Sequence, residues 1–349
     1  MIGIVLSPGI RKQNLPEKIG QRVDFYRKQA KRHKVDLCFY NWKSVSMQEK
    51  TVNALVYSHK TNKLIRQEVP LPKINLQPGT EYVNSERVRK KVAFLRKYNY
   101  IFFNVMNNRD RNKFNNHEYF SSIKEIASML PETHTLSYAK MKDMADRYEK
   151  VYIKRKRSCK GNNIYMLEKG DKSYRISHVY NTKETVRRVA EKDLYKYYRA
   201  TFPSPNRFVV QQGIDSKEYK GKKFDFRVSP QKTKTGNWKV IGFYARLADK
   251  CTTVTNKDQG GRLKFSLKPL ISEETKEEIK RASIKIAKVL EEKYPQVIDL
   301  GLDLAVDKDE KIWLIEANFR PFRGRINSKH HRAPFGYVVW YYKKNRNKS

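Results

Sequence analysis

Short apolar runs alternate with amphipathic stretches along the first third of the chain. "MIGIVLS" and "VDLCFY" (Val35 to Tyr40) read as buried strands, and "PEKIGQRVDFYRKQAKRHK" between them puts Ile19, Val23, Tyr26 and Ala30 at helical spacing. The expectation is a βαβ opening. "ALVYS" (Ala54 to Ser58) and "NYIFFNV" (Asn99 to Val105) follow as strands, with the basic stretch from Asn84 to Lys97 as a helix, so residues 1–130 predict an open α/β domain. In "FNNHEYFSSIKEIASML" the positions Ile123, Ile126, Ala127 and Leu130 keep to one helical face until Pro131 interrupts, and the domain boundary is placed there.

Residues 131–349 alternate differently. Helix "YAKMKDMADRYEK" is followed by strands "VYIKR", "IYMLE" and "YRISHV", a helix "KETVRRVAEKDLYKYYRA", strand "FVVQQ", and two long strands, "FDFRVSPQ" and "NWKVIGFYARLA". A polar loop from Asp249 to Leu263 leads into helix "SEETKEEIKRASIKIAKVLEEKY", which carries Ile279, Ala282, Ile286 and Val289 in register. The stretch "GLDLAVDKDEKIWLIEAN" closes the pattern as a hairpin. Short connections imply hairpins, so this second domain is expected to be α+β with largely antiparallel sheets.

Charge narrows the partners. Across 349 residues, 75 Lys and Arg face 36 Asp and Glu, a formal net charge of +39. Such a surface attracts acidic peptides, anionic polymers or, without sequence specificity, nucleic acid. The basic residues are dispersed, with the densest runs at "RVRKKVAFLRK" from Arg87, "KRKRSCKG" from Lys154 and "YYKKNRNKS" from Tyr341. Cys38, Cys159 and Cys251 show no CxxC spacing, which argues against a disulfide framework or structural zinc and for a reducing compartment. With no apolar run long enough for a signal core or membrane span, a cytoplasmic chain is expected.

Four constellations carry chemistry. Glu316 and Asn318 in "WLIEAN" lie two apart on a strand and share a face, and the short "DKDEK" connection lets Asp303 sit opposite them. Three hard oxygen donors would then converge, a set that suits Mg²⁺ and leaves positions for phosphate oxygens and water. Any one of them alone would read as a solvent-facing hairpin residue, but Glu316 interrupts an apolar run, where an unpaired carboxylate is costly. In "VYIKRKRSCKGNNIYML", a strand, a basic loop with Gly161 and a second strand could cap phosphate oxygens while Lys154 reaches an α-phosphate; a basic hairpin tip is the simpler reading. "RFVVQQGID" runs an apolar strand into Gln211, Gln212 and Gly213, whose backbone could meet an adenine edge. Arg227 and Arg246 on neighbouring strands, with the loop "TNKDQGGR", could clamp an acyl phosphate or γ-phosphate. No Ser/His/Asp or Cys/His arrangement for a side-chain nucleophile emerges.

The order of "VYIK", "VVQQGID", "FDFRV", "ARLA", "TNKDQGG" and "GLDLAVD…WLIEAN" resembles the ATP-grasp superfamily of carboxylate–amine ligases, including ribosomal-protein glutamate ligases. The spore-coat-associated YheC/YheD branch is the nearer likeness, and "PLPKI", "FNN" from Phe114 and "LPET" from Leu130 extend it across nearly the whole chain. The resemblance implies an ATP-grasp fold, with Lys154 and the Gly161 loop on nucleotide phosphates, Gln211, Gln212, Gly213 and Ile214 as the adenine hinge, and Glu218 or Asp215 at the ribose. Asp225, Arg227 and Arg246 would face phosphate and substrate, Asn256 with Gly260 and Gly261 would belong to a substrate-side loop, and Asp303, Glu316 and Asn318 would hold Mg²⁺. The branch usually has a "KP" pair and a glycine-rich loop where this chain has "KRKRSCKGNN", and the lysine that the helix before "LPET" offers to nucleotide would have to be Lys124. The implied activity joins a carboxylate to an amine at the expense of ATP, on an acidic peptide or anionic polymer, in a cytoplasmic or spore-associated setting. Two other readings use the same residues: an ATP-grasp kinase of a small hydroxyl compound, and a non-catalytic basic protein that holds a polyanion in a spore coat.

Overall fold

The computed structural model describes residues 1–6, 9, 14–15, 17–78, 85–105, 112–157, 162–249, 253–255, 259–319 and 329–346. Three sheets organise them. The first is built from β1 (Ile2–Val5), β2 (Leu37–Tyr40), β3 (Thr51–Tyr57), β4 (Leu64–Pro70), β5 (Ile74–Leu76) and β6 (Ile101–Phe103), with helices α1 (Glu17–His33) and α2 (Glu86–Lys97) between strands. Its order is β4-β3-β2-β1-β5-β6, parallel from β2 to β6 and antiparallel at β2-β3-β4. Ile19, Val23, Tyr26 and Ala30 of α1 are buried, as their spacing predicts. β4 escapes sequence reading because nearly all of it is exposed or half-exposed, so it has no apolar alternation.

After β6 come α3 (Lys113–Ser121) and α4 (Lys124–Ala127). The expected single helix over this stretch breaks at Ser122 and Ile123, and Ile126 turns inward from the second piece. The second sheet holds β7 (Thr133–Thr135), β8 (Lys150–Arg155), β9 (Ile164–Lys169), β10 (Ser173–Tyr180), β11 (Lys183–Ala190) and β12 (Phe208–Gln212), ordered β11-β10-β9-β8-β12-β7 and antiparallel throughout. α5 (Tyr138–Tyr148) and α6 (Leu194–Thr201) cover one of its faces through Met141, Met144, Leu194 and Tyr198.

β11 corrects one expectation. The stretch "KETVRRVA" is a strand, and the expected helix begins only after it, with a 3-10 turn at Glu191–Asp193 leading into the α-helix Leu194–Thr201. All eight residues of β11 pair with β10, and Asn181 and Thr182 between them both have positive φ, the two-residue turn that suits the twist of a hairpin. Lys, Arg and Glu favour a helix in isolation, but pairing along the whole hairpin outweighs that preference.

The third sheet contains β13 (Glu218–Tyr219), β14 (Lys222–Lys232), β15 (Trp238–Leu247), β16 (Arg262–Lys264), β17 (Leu300–Val306) and β18 (Ile312–Phe319), ordered β16-β15-β14-β17-β18 with β13 on β14. All its pairings are antiparallel. α7 (Glu273–Lys293) packs on one face through Ile279, Ser283, Ile286, Ala287 and Leu290. Ala282 and Val289, placed on that face by spacing, lie at its half-buried margin. Phe120 and Ile126 from α3 and α4 join the same core, and Leu314 donates its N–H to Met129 O. Helix α8 (Lys329–Asn345) returns to the first sheet, where Phe335, Tyr337, Val338 and Val339 pack with Ile2, Tyr26 and Phe103.

Candidate functional site

The site forms where the face of the third sheet opposite α7 meets the face of the second sheet opposite α5 and α6. In β14, Phe224, Phe226 and Val228 point into the core under α7, so alternation sends Asp225, Arg227 and Ser229 to the opposite face. Register then assembles a polar row. Asp225 pairs with Arg246 on β15, Arg227 with Asp303 on β17, and Asp303 with Glu316 on β18. Between the Asp303–Glu316 and Leu304–Leu314 pairs the register shifts, leaving Ile315 as an extra residue on β18. Such a bulge re-aims the side chains beside it. Asn318 lies opposite Gly301 and donates from Nδ2 to Asp303 Oδ2 at 3.4 Å.

This row is an interlocked ion network. Arg227 donates to both oxygens of Asp303, from Nε at 2.5 Å and from Nη2 at 3.0 Å. Arg246 donates to both oxygens of Asp225 at 2.7 and 2.5 Å, and its Nη2 also lies 3.2 Å from Asp303 Oδ2. Thr255 Oγ donates to Asp225 Oδ2 at 2.7 Å. Burial on its own would raise the Asp303 carboxyl, but the charges and hydrogen bonds of Arg227 and Arg246 outweigh it and hold the group below the usual carboxylate range. The same attraction overcomes burial at the guanidiniums and holds both arginines firmly protonated.

Glu316 belongs to the network's sheet and also lines a cleft against the second sheet. The cleft is narrow and opens to solvent, and its walls include Thr133, Lys154, Gln211, Ile315 and Glu316, with Phe114, Asn116 and His117 from α3 above. Lys154 donates to Gln211 Oε1 at 2.7 Å, and Gln211 Nε2 donates to Thr133 Oγ at 3.0 Å, so the ammonium is held at the cleft wall. Lys223, on the polar face of β14, reaches Tyr152 Oη at 3.3 Å, which brings a second ammonium between the sheets.

The remaining predicted residues divide. Gln212 turns away from the cleft: its Oε1 accepts from Glu132 N, and its own N–H goes to Glu132 O. Gly213 donates to Lys150 O, and a Cβ there would lie 2.6 Å from that oxygen, so the close approach requires glycine. Ile214 is half-buried just beyond the strand. Glu218 is exposed on β13, and Asp215 pairs with Lys308 at 2.7 Å. Gly161 and Asn256 lie outside the described residues. Lys124 is exposed and is not part of the cleft wall; His117 is the basic side chain that α3 brings there, with its pKa lowered by burial and then by His134.

Thr133, Asn116, His117, Lys223 and Thr255 were not singled out from sequence. The signal for Asn116 and His117 is their place in "FNN" and the residue after it, Thr133 is the last residue of "LPET" and Thr255 the first of "TNKDQGG"; nothing local marks Lys223. A further bridge ties the hairpin tip to the loop after β15. Gln259 Oε1 accepts from Thr182 N at 2.7 Å, its Nε2 donates to Asn162 Oδ1 at 3.0 Å, and Val254 packs with Val179 and Ile164.

A cation would find two carboxylates and one carboxamide here; among the described residues no group of three His, Cys, Asp or Glu side chains forms a fuller cage. Sparse oxygen sets of this kind suit Mg²⁺, and in this structure both Asp303 oxygens accept from Arg227 while Asn318 turns its Nδ2 to Asp303.

Residues 103–340 match the family model described as a YheC/D like ATP-grasp. The chain is 27% identical over 299 residues to the endospore coat-associated protein YheD of Bacillus subtilis (strain 168), an alignment covering 82% of this chain and 64% of that protein. It thus spans somewhat less than two thirds of that relative's length. Among solved structures it is similar to the ATP-grasp ligase PsnB complexed with a phosphomimetic variant of its minimal precursor, Mg and ADP (TM-score 0.52, 13% identity, 97% of each chain). It is also similar to the D-alanine-D-alanine ligase of Coxiella burnetii (TM-score 0.50, 12% identity, 99% of this chain and 97% of that one). These likenesses show an ATP-grasp fold.

Proposed function

The chain belongs to the YheC/D-like ATP-grasp family, and on that premise we propose that it is an ATP- and Mg²⁺-dependent ligase joining a carboxylate to an amine. The observation that carries this reading is the position of Glu316, which lines the Lys154–Gln211 cleft while pairing across strands with Asp303 of the arginine network. A nucleotide in the cleft would have its base by Gln211 and Ile214 and its phosphates running past Lys154 toward the network. With the N–H groups of Gln212 and Gly213 already committed, hinge contacts fall to Ile214 and the residues after it. Glu218 or Asp215 would meet the ribose, and the loops carrying Gly161 and Asn256 would close over phosphates and substrate.

Asp303, Glu316 and Asn318 would hold the metal, with the Asn318 amide turned to present its oxygen. Bound Mg²⁺ would offset phosphate charge and orient the γ-phosphoryl group. The substrate carboxylate would attack the γ-phosphorus, breaking its bond to ADP and forming an acyl phosphate; the neutral amine would then attack the acyl carbon, and one of its protons would pass to the departing phosphate. Arg227, Arg246, Lys154 and Lys223 supply fixed positive charge where negative charge develops, so catalysis is mainly positioning and electrostatics.

The basic surface favours an acidic peptide or anionic polymer as acceptor, and the name of the Bacillus subtilis relative suggests a spore-associated setting. We further propose the division at residue 130. α3 and α4 pack on the third sheet and α8 on the first, so each part also holds structure from the other's span. Among the described residues no helix is long and apolar enough to cross a membrane. Isothermal titration of Mg–ATP into the wild type and Glu316→Ala tests the proposal. Micromolar binding that weakens about tenfold or more in the variant supports it; a folded wild type that binds no nucleotide removes the enzyme reading.

A further inference from the structure

The longest of the dense basic runs, "RVRKKVAFLRK", takes no part in the cleft. In α2 it buries Val88, Val92 and Leu95 against the first sheet. Lys91 and Arg96 turn inward as well, capping Trp42 O and Val45 O, and Val105 O. What remains outward, at helical spacing, is one stripe of Arg87, Lys90, Phe94, Lys97 and Tyr98, about 15 Å long from Arg87 to Lys97.

An outward helix stripe is ordinarily polar throughout, yet Phe94 and Tyr98 are 37% and 43% exposed, with ring centroids 4.9 Å apart. Two lysines from other elements reach Tyr98, one at its ring and one at its backbone carbonyl. Lys50 Nζ stands 3.9 Å from the Tyr98 ring centroid, and Lys73 Nζ donates to Tyr98 O at 2.9 Å. Glu86, paired with Lys90 at 3.1 Å, is the acidic residue of the helix.

We propose that this stripe is a binding surface for single-stranded nucleic acid, with bases stacking on Phe94 and Tyr98 and phosphates meeting Arg87, Lys90, Lys97, Lys50 and Lys73. Positive charge supplies affinity for any polyanion, but exposed rings among the cations are what an unpaired base uses. An acidic peptide would leave the rings idle. A duplex would hide its base faces. Two partly exposed rings are too little apolar surface to anchor the helix in a bilayer.

The test is fluorescence anisotropy of a fluorescein-labelled 20-nucleotide oligo(dT) with the full chain, over a series of salt concentrations. Phe94→Ala and Tyr98→Ala should each weaken binding about fivefold or more, a loss that persists at high salt because stacking is not screened. The pair Lys90→Glu with Lys97→Glu should weaken binding further and flatten the salt dependence. The same charge change at Lys196 and Arg199, exposed on α6, should do much less. Thermal unfolding of each variant reports whether it remains folded. The inference is overturned if the ring variants bind like the wild type, or if the α6 pair matters as much as the α2 pair. It is equally overturned if poly-glutamate or phosphatidylserine vesicles bind the stripe more tightly than the oligonucleotide.

Discussion

Replacing Asp303 by Asn keeps the shape of the side chain and removes the charge that Arg227 and Arg246 share. Arg246 would keep its two-fold contact with Asp225, whereas Arg227 would lose the carboxylate that accepts both of its hydrogen bonds. Removing one partner of a buried pair costs about 3–5 kcal/mol, because the remaining charge stays desolvated. The Arg227 side chain is 16% exposed and so partly hydrated, which points to the lower end, about 3 kcal/mol. For a cooperative unit of roughly 150–250 residues this lowers Tm by about 6–12 °C. Circular dichroism of the full chain at pH 7 measures it, and Arg227→Met with Asp303→Leu is the companion variant. Removing both charges should recover much of the loss.

The pH dependence follows from the direction of the Asp303 shift. Its carboxyl is held below the ordinary aspartate range, so its stabilisation is complete above about pH 4 and is lost as pH falls further through the depressed value. The gap between wild type and Asp303→Asn should therefore stay constant from pH 7 to about pH 5 and narrow below pH 4. A Tm change under 2 °C at neutral pH, or a double variant no better than the single one, would show that the network is not energetically coupled.

Gly213→Ala should destabilise the fold by about 1–3 kcal/mol, since its Cβ would meet Lys150 O at 2.6 Å; a Tm equal to the wild type would show that the strands give way freely. Lys154→Met should weaken Mg–ATP by about tenfold in titration calorimetry while leaving Tm within a few degrees, and unchanged affinity would remove Lys154 from the phosphate path. Thr255→Val removes one of the two hydrogen bonds to Asp225 Oδ2 and leaves that from Arg246 in place, so it should cost about 1 kcal/mol in denaturant unfolding; a neutral result would mean that the loop does not brace the network.

Much of the site was written in local alternation. Glu316 and Asn318 two apart, and a short connection back to Asp303, needed only the period of a strand and the length of a turn to be brought together. The face of α1 was equally legible. Other features depend on partners far along the chain. Arg227 and Asp303 are separated by 76 residues, and only the pairing of β14 with β17 shows that the guanidinium meets this carboxylate rather than solvent or substrate. The bulge at Ile315 leaves no mark in "WLIEAN". β4 and β11 lacked the apolar alternation that identifies a strand, because both are largely exposed. Lys124 was the lysine nearest to the expected position, but the break after α3 put His117 at the cleft instead.

The position of α8 bears on how the chain is made. One face of the first sheet, with Ile2, Tyr26 and Phe103, is completed by Phe335, Tyr337 and Val338 from more than two hundred residues later. At typical translation rates of about 5–20 residues per second, that interval lasts roughly 10–50 seconds. Throughout it the nascent first sheet would carry an apolar face without its final cover, available to chaperones or to neighbouring chains on the same message. A segment that leaves the ribosome more than two hundred residues ahead of its cover is thus among the last to be sheltered.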